Sequence, residues 1–421
     1  TTYHVRAYAT NGSGTSYGND IQFSTLAIPT VTTAAVTAIT QTTATSGGNV
    51  TSDGGAAVTV KGVCWNTGTG NPTINDSKTN DGTGTGTFTS SLTQLSANTA
   101  YNVRAYATNS IGTAYGDVVH FTTSPILLAT VTTATPSSIT ATTAVSGGNV
   151  SASGGGAISA RGVCWSTSQN PTISGLHTTE SGGVGTFTSN ITGLSDGTVY
   201  YVRAYATNFA GTAYGTQVQL LTKVVDADNN LYNTVVIGTQ VWMAENLKTT
   251  KYKDGITGIP NVTDPVAWNA LTGPGYCWYN NIEATYKPLY GAMYNWFTVN
   301  TGNLCPTGWH VPTDVEWTTL TTLLGGESVA GGKLKEAGLD HWLTPNTGAT
   351  NDYGFTALPG GYRYWFDGSF ADAGKLSYWW SSTVHEFDPE KGYYRELFND
   401  QASVFREGAN KKAGKYVRCV K

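Results

Sequence analysis

The sequence predicts a multidomain protein in which all-β sandwich domains precede an α+β domain. One six-residue stretch, RAYATN, occurs three times, at residues 6–11, 104–109 and 203–208. The copies start 98 and 99 residues apart (104 − 6 and 203 − 104), which is the length of a whole domain rather than of a solenoid repeat. A second observation is the change in composition near Thr222, after which Trp and Tyr become frequent and helical patterns begin.

The composition describes a folded chain with few charges. Charged residues make up 12% of the sequence, against about 25% in an average soluble protein. The formal net charge is −4 and aromatic residues reach 11%, a combination that does not favour disorder. Mild acidity argues against nucleic acid as a partner, because binding it requires basic patches. No apolar run reaches the roughly 20 residues that a membrane-spanning helix needs, so no membrane span is expected.

The repeats divide the first half of the chain into one partial and two complete units. Residues 27–125 and 126–223 each contain about seven strand-sized runs of Val, Ile, Thr, Tyr and Phe between Gly and Asn clusters, which is typical of a β-sandwich. Residues 1–26 align only with the closing part of a repeat and predict two strands and a turn. The remaining residues, 224–421, form the last domain.

The closing strands of the repeats resemble those of fibronectin type III domains. The resemblance is carried by the pattern of Leu, Thr, Tyr, Val, Arg and Asn in residues 95–112, which recurs in residues 194–203. It implies that Tyr101 and Tyr200 pack inward at a corner of the sandwich. The family's usual Trp on the second strand is missing, and we expect Trp65 and Trp165 to supply the aromatic core from the third strand. Such domains are commonly spacers, and the fold says nothing about chemistry.

Helical patterns are confined to the last domain. Thr313 and Glu316 have the spacing of a capping box, and the helix that they open has an apolar face and ends at a Gly pair. The face consists of Trp317, Leu320 and Leu324, followed by Gly325 and Gly326. A weaker helix is predicted at residues 290–299 and a third at residues 333–336.

The last domain closely resembles the Fibrobacter succinogenes major paralogous domain. The matching stretches are spread over the domain, at residues 238–247, 305–312, 354–361, 379–382 and 417–420. The resemblance implies a secreted or surface domain of fibre-degrading and related bacteria. It also implies a fold close to the C-type lectin-like and formylglycine-generating-enzyme group, so that the overall expectation is Ig- or fibronectin III-like sandwiches followed by an α+β C-type lectin-like domain.

The five cysteines separate into two kinds. Cys64 and Cys164 are repeat equivalents beside Val and Trp, and each is expected to be a small buried hydrophobic residue. Cys305 and Cys419 bracket the last half of the final domain, and we predict a disulfide between them in an oxidising compartment, with two free thiols as the alternative. Cys277 is then left unpaired.

Motifs for catalysis are weak. Gly14, Ser16 and Gly18 match the nucleophile elbow, but the other repeats place Ala114 and Ala213 at the Ser position, so the motif is interpreted as a repeat turn. We therefore expect that the protein is not an enzyme. His310 is expected to be a hydrogen-bonded structural residue, since no His pair in the sequence has ligand spacing.

Motifs for metal binding are equally weak. Residues 226–230 read DADNN, which is similar to the start of an EF-hand loop, but Leu231 and Ile237 stand where Gly and Glu are required. A hairpin turn is the preferred interpretation, and no metal or cofactor is predicted.

A set of aromatic residues in the last domain is a candidate for stacking on sugar rings. It consists of Tyr362, Tyr364, Trp365 and Trp379, with Tyr378 and Trp380 close in sequence. The alternative is that these side chains form the core of a domain with few aliphatic residues. A turn follows Trp365, which favours its exposure.

Two hypotheses follow for the whole chain, both for a secreted protein at the cell surface. The first is a structural or adhesive protein, with self-association into a polymer through residues 1–26. The apolar face of that hairpin, with Tyr3, Val5, Ala7 and Phe23, needs a partner sheet, supplied by another subunit or else lost from a longer precursor. The second is a carbohydrate-binding module of an adhesin or of a polysaccharide-degrading system.

Overall fold

The computed structural model describes all residues from 1 to 421. Residues 1–26 form four short strands in two antiparallel pairs, β1 with β4 and β2 with β3: β1 (Thr2–Val5), β2 (Tyr8–Asn11), β3 (Gly14–Tyr17) and β4 (Ile21–Ser24). The prediction of two strands was too simple, because the first long strand is interrupted at Arg6 and Ala7.

The next unit is a two-sheet sandwich. Its strands are β5 (Thr30–Thr33), β6 (Ala44–Ser52), β7 (Val60–Asn66), β8 (Ser77–Lys78), β9 (Gly86–Leu92), β10 (Ala100–Thr108), β11 (Thr113–Tyr115) and β12 (Val119–Thr122). One sheet has the order β5-β6-β9, and the other has the order β8-β7-β10, with β11 and β12 both paired to β10. Antiparallel strands in two packed sheets, here of three and five strands, are typical of fibronectin III-like sandwiches.

The third unit repeats this topology strand for strand. Its strands are β13 (Thr130–Thr133), β14 (Ala144–Ala152), β15 (Ala160–Ser166), β16 (Leu176–His177), β17 (Gly185–Ile191), β18 (Val199–Asn208), β19 (Gly211–Tyr214) and β20 (Val218–Leu221). The sheets are β13-β14-β17 and β16-β15-β18, with β19 and β20 paired to β18.

A corner tyrosine closes each sandwich. Tyr101 is buried and its hydroxyl accepts a hydrogen bond from the backbone N–H of Ser96 at 2.9 Å; Tyr200 does the same with Ser195 at 3.0 Å. The prediction that both rings pack inward is confirmed. Trp165 belongs to its sandwich core, as expected, whereas the equivalent Trp65 is only half-buried and packs at the edge of the core.

Cys64 and Cys164 are fully buried free thiols, which agrees with their prediction as small hydrophobic residues. Burial raises the pKa of both thiols to about 11, against the opposing effect of the nearby Arg104 or Arg203. At neutral pH they are therefore protonated and unreactive.

The last sandwich is joined closely to the C-terminal domain. Lys421 Nζ donates to the carbonyl of Asp196 at 3.1 Å, and Thr234 Oγ1 donates to the carbonyl of Thr222 at 2.9 Å. Gly197 has a φ of +48° and faces the ring of Trp309, where an added Cβ would lie 2.1 Å from a ring carbon. Only glycine fits there, so the close approach of the two units depends on it.

The C-terminal domain is an irregular α+β unit with short strands and helices. The strands are β21 (Val224–Val225), β22 (Leu231–Tyr232), β23 (Thr234–Ile237), β24 (Gln240–Met243), β25 (Tyr276–Cys277), β26 (Met293–Tyr294), β27 (Tyr362–Arg363), β28 (Phe370–Ala371), β29 (Leu376–Val384), β30 (Lys391–Phe398) and β31 (Val404–Asn410). The helices are α1 (Pro265–Asn269), α2 (Glu283–Tyr290), α3 (Trp296–Val299), α4 (Asp314–Leu323) and α5 (Glu327–Leu334), with a 3-10 turn at Tyr279–Asn281. The longest strands form the sheet β29-β30-β31.

Helix α4 confirms the clearest helical prediction. Thr313 and Glu316 form the complete capping box, and the apolar face of the helix is buried. Gly325 and Gly326 follow with positive φ angles of 104° and 96° and end the helix.

The two weaker helix predictions were wrong in position. Residues 290–299 do not form one helix, because α2 ends at Tyr290 and Gly291 takes a φ of +76°. The chain continues as strand β26, and Asn295 caps the short helix α3. The helix predicted at residues 333–336 is the end of α5, and Lys335 has already left the helical conformation.

The core of this domain is built from tryptophan rather than from aliphatic residues. Eight Trp side chains are almost completely buried: Trp242, Trp268, Trp278, Trp296, Trp317, Trp342, Trp379 and Trp380. The rings of Trp242 and Trp317 lie 4.8 Å apart, in the tilted geometry that aromatic pairs prefer.

Buried cations fix the irregular loops around this core. Lys335 Nζ donates to three backbone carbonyls at 2.9 Å each, those of Thr347, Phe398 and Gln401. Arg363 donates to the carbonyls of Val262, Thr263 and Gly368, and Arg418 to Asn246 Oδ1 and to the carbonyls of Phe355 and Thr356. Each cation thus donates hydrogen bonds to loop carbonyls, which in a helix or sheet would accept them from backbone N–H groups.

Cys305 and Cys419 form a disulfide with their Cα atoms 5.9 Å apart. Cys277 is a buried free thiol. The bond closes a loop with a sequence separation of 114 residues and ties the C-terminal strand segment to the start of the long loop before α4.

We expect the double substitution Cys305→Ser with Cys419→Ser to lower the free energy of unfolding of the C-terminal domain by about 3–5 kcal/mol, because the unfolded chain regains the entropy of an open loop. Scanning calorimetry measures the effect, and the sandwich transitions in the same scan serve as the internal control. Alkylation of both thiols in the unreduced, native protein would contradict the pairing.

Candidate functional site

Lys415 lies in an enclosure of aromatic rings on one face of the β29-β30-β31 sheet. Its Nζ lies 3.7 Å from the ring centroid of Tyr394, 4.1 Å from that of Tyr378, 5.3 Å from that of Tyr362 and 5.5 Å from that of Trp380. We call these four rings the Lys415 cage. Strand pairing places Tyr378 and Trp380 of β29 beside β30, and the isolated bridge between Tyr294 and Lys415 brings in the lysine.

The ammonium of Lys415 differs from the other buried cations of the domain. Its side chain is almost fully buried, with an exposed fraction of 3% for the residue. Lys335 Nζ donates to three backbone carbonyls and the Arg418 guanidinium donates to three oxygen atoms, whereas Lys415 Nζ lies against four ring faces and forms neither a hydrogen bond nor an ion pair within 4 Å. Such a group is ready to donate to an oxygen atom that reaches the cage.

Glu396 is the acidic group whose negative charge acts on Lys415. It lies on β30 opposite Tyr378 and is buried, and its carboxylate accepts a hydrogen bond from Tyr394 at 3.3 Å. Burial lowers the pKa of Lys415 to about 7, with the attraction of Glu396 opposing the shift. Burial likewise raises the pKa of Glu396, and Lys415 opposes that shift.

The structure separates the predicted stacking residues into two groups. Tyr362 and Tyr364 are part-buried with ring centroids 4.6 Å apart, and Trp365 is 42% exposed in the turn between β27 and β28. Trp379 does not belong to this surface: its ring is buried in the core and its Nε1 donates to Asn246 Oδ1 at 2.7 Å. Consecutive strand residues face opposite sides, so Trp379 points away from the cage that Tyr378 and Trp380 form.

Sequence reasoning missed Phe366, Tyr394, Glu396 and Lys415. Phe366 is exposed beside Trp365, with ring centroids 5.8 Å apart, and extends the aromatic surface. The alternation of Tyr394 and Glu396 on one strand was the only available signal. Nothing in the sequence around Lys415 indicates burial, because lysine is ordinarily exposed.

The second candidate surface is the apolar face of the hairpin unit. Tyr3 and Phe23 stack with ring centroids 5.5 Å apart at 19°, which are the same values that Tyr101 and Phe121 show in the complete sandwich. Tyr3 and Phe23 are 48% and 52% exposed, whereas Tyr101 and Phe121 are buried. Val5 and Ala7 on the same face are also exposed. The hairpin therefore has the conformation of a sandwich edge without a covering sheet.

The remaining sequence motifs have structural roles in this fold. Ser16 lies on strand β3 paired with Ala9, as a turn of the repeat requires. His310 Nε2 is 2.7 Å from Glu316 Oε1, which agrees with its prediction as a hydrogen-bonded residue. Asp226 Oδ1 accepts from the backbone N–H groups of Asp228 and Asn230 at 2.9 Å each, within the hairpin of β21 and β22, so the hairpin interpretation is confirmed.

No group of three or more His, Cys, Asp or Glu side chains is placed to hold a metal ion. No helix is both long and apolar enough to cross a membrane.

Comparison with known proteins gives one family match and two similar solved structures. Residues 235–421 match the family described as the Fibrobacter succinogenes major domain. One solved structure comprises the FN1–FN3 domains of chicken CNTN1, at 15% identity over 52% of this chain and 75% of that one with a TM-score of 0.21. The other is a two-domain fibronectin type III segment of chicken tenascin, at 14% identity over 45% and 97% with a TM-score of 0.25. No curated protein matches the chain.

Fibronectin III-like sandwiches thus precede a C-terminal region, residues 235–421, that matches the Fibrobacter succinogenes major domain. The sandwich assignment stands on the strand order described above, because the overlap with the two chicken structures is too low to add to it. This architecture suggests a surface protein, and the disulfide is consistent with an extracellular location.

The Lys415 cage leads to a prediction about pH. The folded pKa of Lys415 is about 7 and the unfolded value is 10.5, so between these values the unfolded chain binds a proton that the folded chain does not. Stability from this group therefore rises with pH in that window, by up to about 1.4 kcal/mol per pH unit. We expect Lys415→Met to remove this rise between pH 7.5 and 9.5, measured by urea unfolding at each pH.

Lys335→Met is the matched control, because burial also lowers the pKa of Lys335, to about 8, but its three carbonyl acceptors need their donor. We expect that variant to be destabilised at every pH. A Lys415→Met protein with the same pH dependence as the parent would contradict a depressed pKa for this lysine.

Proposed function

We propose that the protein is a non-enzymatic structural and adhesive component of the cell surface. In this proposal the two sandwiches hold the C-terminal domain away from the surface. The hairpin of residues 1–26 is a joint through which subunits associate into a fibre. The observation that carries the proposal is the uncovered apolar face of the hairpin, which has the geometry of a face that the complete sandwich buries.

The complete sandwich indicates what would cover this face. Residues equivalent to Tyr3, Val5 and Phe23 are Tyr101, Val103 and Phe121, which pack with Ala44, Leu92 and Leu95 in one core cluster. A covering surface must therefore supply a second sheet of small aliphatic side chains. Burying one Val or Phe side chain contributes about 1.5–3 kcal/mol, so Val5 and Phe23 together with the ring of Tyr3 support a stable contact.

The hairpin also has a free backbone edge. In the sandwich, residues 102–108 of β10 pair along their length with Val60–Asn66 of β7. In the hairpin, β1 pairs only with β4 and β2 only with β3. The free edge favours the addition of a strand from another chain, which would also join the two short strands into one.

Such a contact would join one region of a subunit to a different region of the next. Heterologous contacts of this kind produce open filaments unless the rotation between subunits closes a ring. We assign Ser16 no catalytic role in this proposal, because it is exposed on a strand whose repeat equivalents carry Ala114 and Ala213.

We expect Val5→Glu to abolish assembly, because it places a charge in the face that must be buried. Gln22→Glu is the matched control: it adds the same charge to the same hairpin, but on the opposite face, since Gln22 pairs with His4. Sedimentation velocity and electron microscopy measure assembly of the 421-residue chain, with fibres expected for the parent and the control. A strictly monomeric parent, or fibres that persist in Val5→Glu, would refute the joint.

A second candidate function is carbohydrate binding by the C-terminal domain. It is favoured by the exposed pair Trp365 and Phe366 beside Tyr364, whose ring centroid is 5.6 Å from that of Phe366. The unpartnered ammonium of Lys415 lies behind the neighbouring Tyr362 and could donate to a hydroxyl. Aromatic faces and a free donor are the groups that a sugar ring uses.

This candidate predicts that Trp365→Ala weakens glycan binding at least tenfold without a change in the melting temperature, because the side chain is outside the core. A glycan array followed by titration calorimetry measures it. Val315→Ala serves as a control, since Val315 is an exposed apolar residue on α4. If the parent chain binds no glycan on the array, carbohydrate binding by the C-terminal domain is excluded and the surface-fibre proposal remains.

A further inference from the structure

The first complete sandwich contains an open cleft of about 600 Å³ beside Trp65. Its floor is the half-buried indole of Trp65 with the edge of Tyr101. Its walls come from the end of β7, from β8 and from residues 93–94. The volume lies within the range of about 300–1,000 Å³ that small-ligand sites occupy.

The wall formed by the loop between β7 and β8 is held in place by side chains of the sandwich. Thr73 donates to Asp76 Oδ2 through its backbone N–H at 2.7 Å and through its Oγ1 at 3.1 Å. The backbone N–H of Ile74 donates to the hydroxyl of Tyr115 at 3.2 Å, and Lys78 Nζ donates to the carbonyl of Ile74 at 2.5 Å. A wall fixed in this way does not have to be ordered when a ligand binds.

The chemistry of the lining is that of a site for a neutral, hydroxyl-rich ligand. Apart from the two rings and the charged Asp76 and Lys78, the lining consists of polar side chains: Asn66, Thr67, Ser77, Thr93 and Gln94. The hydrogen bond from the Thr73 backbone keeps the pKa of Asp76 below its ordinary value, so the lining carries one carboxylate and one ammonium and no net charge. A lining without net charge does not select for an ionic ligand.

The second sandwich provides an internal comparison. Strand pairing makes Ser77 and Lys78 equivalent to Leu176 and His177, because they oppose Trp65 and Cys64 in one unit and Trp165 and Cys164 in the other. The cleft there has only about 230 Å³ and its Trp165 is closed into the core. The same scaffold therefore exists with a half-buried Trp beside a wide cleft and with a buried Trp beside a narrower one.

Gln94 adds a backbone argument. It has a φ of +58°, in the left-handed region that favours glycine, and the equivalent residue of the second sandwich, before Leu194, is Gly193 with a φ of +71°. Glycine adopts this left-handed conformation without strain, whereas glutamine adopts it only at a cost in free energy. Strained residues of this kind concentrate at binding sites, and this one lines the cleft.

We propose that the cleft beside Trp65 binds a neutral carbohydrate unit. The sugar stacks its apolar C–H face on the indole of Trp65, and its hydroxyls pair with Asp76, Lys78 and Gln94. A peptide is less well matched, because the lining offers no apolar pocket for a side chain and β8 presents only two residues of strand edge. The site lies in a different domain from the aromatic surface at Trp365.

The second sandwich supplies the substitutions for the test. Gln94→Gly and Lys78→His introduce residues that the same fold already carries at the equivalent positions, so both variants are expected to fold. An array of neutral oligosaccharides, with sialylated and uronic-acid oligosaccharides beside them, identifies the probe for the 421-residue chain. Titration calorimetry with that neutral oligosaccharide then measures affinity, and we expect a loss of at least tenfold in each variant.

His177→Ala in the second sandwich and Val315→Ala on α4 are the controls, and we expect neither to change the affinity of the cleft. A parent chain that binds no neutral oligosaccharide overturns the proposal, and so does affinity that survives the combined Gln94→Gly and Lys78→His substitution. Binding that is lost only with Trp365→Ala also overturns it, and assigns the ligand to the C-terminal domain instead.

Discussion

The requirement that each sheet bury one face against a second sheet controls the first half of this molecule. Within a complete sandwich the stacked pair of Tyr101 and Phe121 is covered, and the corner hydroxyl of Tyr101 satisfies a backbone N–H at the same place. The hairpin of residues 1–26 keeps the same stack with nothing over it. Its local geometry is thus a property of the hairpin itself, while its burial depends on a sheet from elsewhere.

The C-terminal domain solves the same packing problem with different groups. Little regular structure is available to pair its backbone, so buried cations donate to loop carbonyls and tryptophan rings fill the space between them. Lys335 shows the arrangement at its most complete, with three carbonyls at 2.9 Å. Lys415 is the exception among these buried cations, because its ammonium packs against ring faces and donates no hydrogen bond. That difference leaves its ammonium as a donor without an acceptor in the structure.

Repetition makes the differences between the sandwiches informative. Their strand order and register agree, as do their corner tyrosines and buried thiols, since these features hold the fold together. The clefts beside Trp65 and Trp165 differ in volume, and the two units differ in the burial of the Trp and in the residue at one left-handed turn position. Both units keep the same fold with either set of features, and the proposed site in the first unit is built on those differences.

The sequence by itself determined whatever depends on neighbours along the chain. The repeat fixed the domains as sandwiches, Thr313 and Glu316 fixed the start of α4, and the pattern around Tyr101 and Tyr200 fixed the corners. The helix predicted from the sequence at residues 290–299 was wrong, because Gly291 interrupts the apolar pattern with a positive φ. Only the tertiary structure decided which rings are exposed. Trp365 lies in a turn and is exposed, whereas Trp379 lies at an inward-facing strand position and is buried. The same holds for Lys415 and for the Trp65 cleft: burial of a lysine and the shape of a cavity arise from segments distant in sequence, and no local pattern carries that information.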